Sequence, residues 1–272
     1  MQANSKEKST RLIAFAVSHY CEKARWALER LSISFIEERH VPGFHWLFTR
    51  PHGGKSVPVL VTKASTFTDS TDILHYLDTI TPTSHRFYPT DAKLRREVET
   101  LEDLFDTVLG VSVRCWIYFY LLNNHKLMRK LWCEGVPSVE RILFPIVFPQ
   151  VRSIARRNYN ITAQSAASSL NQIRRLFEKV NKLLELDGRS YLVGNCFSAA
   201  DLTFACLVAP ILIPPEYGGK TLDLHEFPNE MAVVHQELRT TPAGAFVLRL
   251  FREERRAYQS DISTLSGVEK VV

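Results

Sequence analysis

Residues 12–28 read LIAFAVSHYCEKARWAL. An apolar run, Leu12 to Val17, stops at Ser18, and Ser18-His19-Tyr20-Cys21 opens a segment of helical character. A short, continuous apolar run predicts a buried strand. After it, Ala24, Ala27, Leu28 and Leu31 share one helical face with charged residues between them, which predicts a helix over Cys21–Leu31. A hydroxyl and a thiol therefore sit at a strand-to-helix junction. The start of a helix offers free N–H groups and a partial positive charge, and so can hold an anion such as a thiolate. Serine is also among the best helix caps, so Ser18 can serve as a plain N-cap. Cys21, in the first turn, either has a depressed pKa or points into the core.

The chain has 272 residues, enough for one large domain or two modest ones, with the apolar and charged fractions of an ordinary globular protein. A net charge of +5 is mildly basic, and there is no run of five or six like charges. Nucleic-acid binding would need a concentrated basic face. Arg156-Arg157 and Arg255-Arg256 read instead as solvated helix faces. The five cysteines (21, 115, 133, 196 and 206) form no CxxC pair, which argues against a disulfide framework and against a zinc site. Four of them read as buried small hydrophobes, and no metal is expected. The polar start MQANSKEKST lacks the apolar core of a secretory signal, and no apolar run reaches transmembrane length. The expectation is a cytoplasmic protein with no stable membrane insertion and no nucleic-acid partner.

Outward from the opening stretch, Ser34–Glu37 reads as a second strand and Val57–Val61 as a third, with a short fourth near Thr66-Phe67. Asp69–Leu77 reads as a helix capped at Thr68 or Asp69. Pro42-Gly43 and Arg50–Gly54 punctuate the crossover. The order is βαβ, crossover, ββα: a polar tail over 1–10, then a small α/β domain over 11–79. Residues 80–90, ITPTSHRFYPT, read as a linker. Beyond it Leu94, Val98, Leu101, Phe105 and Val108, and again Leu170, Ile173, Phe177, Val180 and Leu184, recur at helical spacing. Further helices are expected over 197–209 and 243–256, so residues 91–272 should be all-α. The stretch of about 120–160 carries Pro137, Pro145 and Pro149 and reads as broken helices elaborating that domain.

Two more constellations join Ser18. In Lys55-Ser56-Val57-Pro58-Val59-Leu60 a proline precedes a strand, and a cis bond there would turn the Val57 N–H and C=O outward to pair with an extended peptide; the plainer alternative is an edge-strand proline. Asp69-Ser70 opens a helix just after a strand, where N–H groups and a hydroxyl suit a carboxylate and Asp69 an ammonium, or simply a cap. Together they describe a thiolate holder, a backbone clamp and a zwitterion receptor, which suits a tripeptide with an interior cysteine.

With these residues in hand the chain resembles a glutathione S-transferase. SHYCEKARWALE is similar to the active-site turn of that family's thioredoxin-like half, SVPVL to its cis-proline strand and DSTDILHYLD to its serine-containing helix. YLVGNCFSAADLTFA, residues 191–205, resembles the buried helix of the all-α half, with an N-capping box of Ser198 and Asp201. The resemblance implies a thioredoxin-like α/β domain followed by an all-α helical domain. It implies glutathione as co-substrate, with Ser18 contacting its sulfur, or Cys21 as the alternative. Tyr20, Lys55, Val57, Pro58, Asp69 and Ser70 are the implied glutathione-binding residues. An electrophile pocket would draw on His19, Trp116, Tyr118 and Phe119, early in the helical domain. The implied activity is conjugation of glutathione to a hydrophobic electrophile, or peroxide reduction, in a homodimer. Two alternatives remain: a thiol transferase working through Cys21, and a non-catalytic protein that binds glutathione or a hydrophobic ligand. His19 stands where the family commonly has proline, Asp69 where it more often has Glu, and Cys21 in the second cysteine position of a glutaredoxin-like CxxC.

Overall fold

A computed structural model describes residues 10–185 and 188–255. The expected polar tail therefore lies outside the described residues except for Thr10, as do residues 256–272 at the end of the expected helical domain. The chain begins with β1 (Arg11–Ala14), α1 (His19–Arg30) and β2 (Ile36–Arg39). A short α2 (Trp46–Thr49) lies in the crossover, and β3 (Val59–Val61), β4 (Thr66–Phe67) and α3 (Ser70–Ile80) follow. The sheet order is β2-β1-β3-β4, with β1 and β2 parallel and the other pairs antiparallel. β1 is the buried strand its apolar run implied: Leu12, Ile13 and Ala14 are all solvent-inaccessible or nearly so. β2 starts two residues later than Ser34. As the edge strand it carries Glu37, Glu38 and Arg39, and charge on an edge discourages further pairing.

The rest is helical, as the periodicity required. α4 (Ala92–Leu104) runs through a single π turn, Phe105–Leu109, into α5 (Gly110–Leu121). This continuous rod, Ala92–Leu121, is long and apolar enough by composition to cross a membrane. Here it is the inner helix of the domain, packed on α8 (Ala163–Glu185) and α9 (Ala199–Leu212), with Val98, Phe105, Leu109 and Val113 buried. α9 is apolar on every side and almost wholly buried. Its start is fixed by Asp201, whose Oδ2 accepts from the Ser198 N–H at 2.8 Å and hydroxyl at 2.6 Å, while Oδ1 accepts from the Leu192 N–H at 2.7 Å. α10 (Asn229–Arg239) and α11 (Pro242–Glu253) complete the domain.

Between them lie α6 (His125–Trp132) and α7 (Ser138–Asn158). The prolines do not break α7: Pro145 and Pro149 both sit inside it. They are four residues apart on the solvent side, as is Arg141, so the ring of each meets no packed neighbour and water can serve the carbonyls they leave unpaired. Nor is the linker loose. Phe87 and Tyr88 are buried, the Phe87 N–H donates to Asp78 at 2.6 Å, and its carbonyl accepts from the Ala199 N–H at 2.8 Å.

The two halves are joined through α1, whose charged side chains are buried rather than solvated. Glu22 and Lys23 are fully inaccessible and Arg25 nearly so. Lys23 Nζ reaches Glu102 Oε1 and Asp106 Oδ2 on the α4 rod, each at 2.7 Å, and Thr71 of α3 at 3.1 Å. Tyr88 donates to the other Glu102 oxygen at 2.6 Å. On the opposite side Glu22 accepts from Arg25, from Arg255 and from the Gly218 N–H, the last at 3.0 Å. Arg255 also meets Glu29 at 2.7 Å. The expectation that Arg255 belongs to a solvated face is thus corrected: it is buried because Glu22 needs a partner there. Arg256 lies outside the described residues.

Removing one partner of a buried ion cluster leaves the others desolvated and unpaired. Lys23→Met should lower the unfolding free energy by about 3–5 kcal/mol in urea denaturation. Adding Glu102→Gln and Asp106→Asn should recover part of that loss.

Candidate functional site

Ser18 ends the loop after β1 in extended backbone and caps α1, its Oγ accepting from the Cys21 N–H at 3.3 Å. It lines a cavity of about 620 Å³ between the α/β domain and the helical domain. On the α/β side Lys55 and Val57 also line this space. The Val57–Pro58 peptide is cis, and Pro58 is buried behind it. The β1–β3 ladder ends at Ile13–Val59, and among the described residues nothing hydrogen-bonds the Val57 N–H or C=O. Asp69 and Ser70 are not part of the cavity lining. They open α3: Asp69 is exposed and accepts from the Thr71 N–H at 2.8 Å, while Ser70 is buried.

The neighbours of Ser18 are differently disposed. Cys21 is fully inaccessible and does not line the cavity. Burial pushes its thiol up to about 11, against the opposing pull of the Ser18 hydroxyl and the Phe15 backbone. His19 lines the cavity but is almost buried; desolvation, helped by the Arg114 guanidinium, holds it down to about 3, so it is neutral at neutral pH. Tyr20 spans the domain junction. Its hydroxyl donates to the Asp106 carbonyl in the π turn at 2.7 Å, and a Cβ at Gly110 would overlap that hydroxyl. Burial, above all, raises the Tyr20 phenol to about 12, so it acts as a hydrogen-bonding phenol and not a phenolate.

On the helical side α5 offers Arg114, Ile117, Tyr118 and Leu121, one face at spacings of three, four and seven. Of the expected aromatic lining, His19 and Tyr118 are there and Trp116 and Phe119 are not. Trp116 is buried with its ring edge-on to Tyr120 at 5.5 Å, and Phe119 packs on the same tyrosine at 5.1 Å. α5 is apolar nearly all round, so periodicity alone could not choose its face; Arg114, the sole charge in GVSVRCWIYFYL, was the available signal.

The third wall comes from the stretch read only as an elaboration. Trp132 of α6, Val151 and Ile154 of α7, and Tyr159 just beyond it all line the cavity. α7 is bolted to the loop after β2 by Glu140, whose Oε1 meets His40 Nδ1 at 2.6 Å and whose Oε2 accepts from the Val41 N–H at 2.7 Å. All three residues are buried. Gly43 makes this close seat possible: it has φ +102, and a Cβ there would lie 3.0 Å from Val151. Among the described residues one group has metal-ligand types together, Asp223, His225 and Glu226, on an exposed turn. Its carboxylates are engaged by Lys130, at 3.3 and 2.6 Å.

Known proteins bear on this geometry. The model of the glutathione S-transferase N-terminal domain matches residues 12–85, and that of the glutathione S-transferase C-terminal domain matches residues 137–236. Together they take in more than half of the sequence, one on each side of the cavity: the chain belongs to the glutathione S-transferase family. No curated protein sequence matches it. The fold is similar to that of a glutathione S-transferase from Rhodospirillum rubrum F11, with TM-score 0.54 and 20% identity over 90% of this chain and 99% of that one. It is similar to the beta-etherase LigF from Sphingobium sp. strain SYK-6, with TM-score 0.56 and 19% identity over 89% and 99%. A third is Ure2p5 from Phanerochaete chrysosporium, cocrystallised with 1-(S-glutathionyl)-2,4-dinitrobenzene, with TM-score 0.54 and 19% identity over 92% and 97%.

His19 gives the site a measurable pH signature. Its ordinary pKa is 6.5 and its value in the fold about 3, so between those values the unfolded chain binds more protons. Its contribution to stability is therefore full above pH 6.5 and shrinks as the pH falls toward 3. From pH 6.5 to 4.5 the wild type should lose about 2–3 kcal/mol more of unfolding free energy than His19→Phe, as read from urea denaturation at each pH.

Proposed function

We propose that this protein is a glutathione transferase in which the Ser18 hydroxyl activates the glutathione thiol for attack on a hydrophobic electrophile or for peroxide reduction. One observation carries the reading: Ser18 faces the interdomain cavity and caps α1 through a lone pair of its oxygen, so its hydroxyl proton, which otherwise turns to the neutral Cys21 thiol, can donate to a thiolate that competes for it. Support for the rest of the site comes from the uncommitted Val57 backbone, which suits the cysteinyl unit of a tripeptide. Lys55 suits the glycine carboxylate, and the Asp69-Ser70 helix start suits the γ-glutamyl zwitterion. Tyr20 takes part by fixing the junction beside the sulfur.

The energetics are modest. A free thiol near pKa 8.5 is only about 3% ionised at neutral pH. A hydroxyl donating to the thiolate contributes about 1.5–3 kcal/mol and the helix start about 0.3–1 kcal/mol, together a drop of about two pKa units. Ionisation then rises about twentyfold, part of which is lost because nucleophilicity falls with pKa. Most of the acceleration must therefore come from holding the electrophile against the sulfur, a task for the walls built by α5, α6 and α7. The alternative through Cys21 finds little support, since that thiol is buried and raised. A cytoplasmic setting suits five cysteines that are all unpaired. Assembly as a homodimer, and the division into domains at 11–79 and 91–272, complete the proposal.

The test is conjugation of glutathione to 1-chloro-2,4-dinitrobenzene. Ser18→Ala should cut kcat/KM by roughly 10- to 100-fold, the equivalent of one hydrogen bond to a charged acceptor. Cys21→Ala should stay within about twofold of wild type. The reverse pattern would overturn the assignment. Iodoacetamide at neutral pH should label Cys196, the exposed cysteine, and leave Cys21 unmodified by mass spectrometry.

A further inference from the structure

The charges of the cavity are one-sided. Among the described residues its lining contains Lys55, Arg114 and Lys220 and no aspartate or glutamate. Lys55 is exposed and Lys220 half-buried. Arg114 differs in its setting. It too is half-buried, but its Nε is shielded from solvent and has no hydrogen-bond partner among the described residues. Its guanidinium lies 4.1 Å from the ring centre of Tyr159 and 5.9 Å from that of Tyr20. Aromatic faces hold a desolvated cation in place and offset part of its lost hydration, but they leave its N–H edge unsatisfied.

Among the described residues the buried cations are matched by carboxylates: Lys23 by Glu102 and Asp106, Arg25 by Glu22 and Glu37, Arg255 by Glu22 and Glu29. Asp106, on the same helical rod as Arg114, is committed to Lys23 through Oδ2. Arg114, half-buried in the cavity wall, meets no carboxylate among the described residues. A planar guanidinium with a free edge matches a carboxylate in two-point geometry. Glutathione is not the expected partner, because the groups suited to its own carboxylates, Lys55 and the Asp69-Ser70 helix start, belong to the α/β domain, whereas Arg114 shares the α5 face with Ile117, Tyr118 and Leu121. That face supplies an apolar bed ending in a cation.

We propose that Arg114 is an anion subsite for the second substrate, so that the electrophile this enzyme prefers is a hydrophobic molecule bearing a carboxylate. The proposal rests on the transferase reading for its reaction but on the cavity alone for its binding. Its chemical step is ordinary substitution. With an aryl chloride the glutathione thiolate attacks the carbon bearing chlorine and a C–S bond forms. The C–Cl bond then breaks, chloride leaves with its electron pair, and the thiol proton passes to solvent.

The experiment compares 4-chloro-3-nitrobenzoate with its methyl ester, two probes with the same ring and leaving group that differ in charge. Binding is read without glutathione, by quenching of tryptophan fluorescence, since Trp132 lines the cavity. Turnover is read separately with glutathione. The wild type should bind the acid roughly tenfold or more tighter than the ester, the worth of one charged hydrogen-bonded contact. In Arg114→Gln that acid-to-ester ratio should collapse toward one, whatever happens to the ester itself, and Arg114→Lys should keep part of it. A wild-type protein that shows no preference for the acid overturns the proposal without any variant being needed. So does a variant in which acid and ester lose affinity equally, or one whose defect is a raised KM for glutathione with both probes. Acid-selective binding without turnover would instead sink the transferase reading and leave the subsite standing.

Discussion

Everything in this molecule is arranged around one costly placement, the burial of Glu22, Lys23 and Arg25 on a single helix. Three charges within about one helical turn and without water are tolerated only if each finds its counterion in a fixed position. Lys23 draws the α4 rod and α3 to one side of α1, and Glu22 with Arg25 draws β2, the loop at Gly218 and Arg255, just past α11, to the other. The helix that starts at Ser18 is thus held by ion clusters on both flanks. The position of the serine hydroxyl is inherited from them.

That constraint acts beside an apolar seam, where α1 packs on α9 and Trp26 meets Phe197 and Phe251. Tyr20 leans into the π turn where backbone carbonyls are displaced from regular helical partners, and the Asp106 carbonyl accepts a hydrogen bond from its hydroxyl. The same residue therefore serves both domains, with its carboxylate on Lys23 and its carbonyl on Tyr20. The cavity opens beside this junction, bounded by rigid elements on two sides and closed on the third by α7, which Glu140 pins to the α/β domain. A site built on such supports loses little to disorder when it fills.

The α/β order, the buried first strand and the helix caps were legible because local chemistry decides them. Ser18, Asp69 and the Ser198–Asp201 pair are short-range signals, and the helical domain announced itself by period. What sequence could not deliver was orientation. On α5 the aromatic cluster Trp116, Tyr118 and Phe119 is spread over three faces, and only a neighbour can decide which of them looks outward to a ligand. Arg255 looked like surface charge because its partner, Glu22, is more than two hundred residues away. The prolines of α7 were read as breaks because their tolerance depends on facing water, a fact of tertiary position. In each case the missing information was a long-range contact.

The π turn at Phe105–Leu109 carries a consequence for how such a fold varies over time. A π turn winds about one residue more than the α turn it replaces, so its extra residue is absorbed locally. Losing that residue would close the turn to regular α-helix and leave Arg114 and Tyr118 on the cavity side, with Val98 and Glu102 where the domain junction requires them. What would be re-aimed is the backbone inside the turn, including the Asp106 carbonyl that Tyr20 uses. A single-codon loss in this turn is therefore a genetic route to a looser hinge between the halves that leaves the cavity walls as they are.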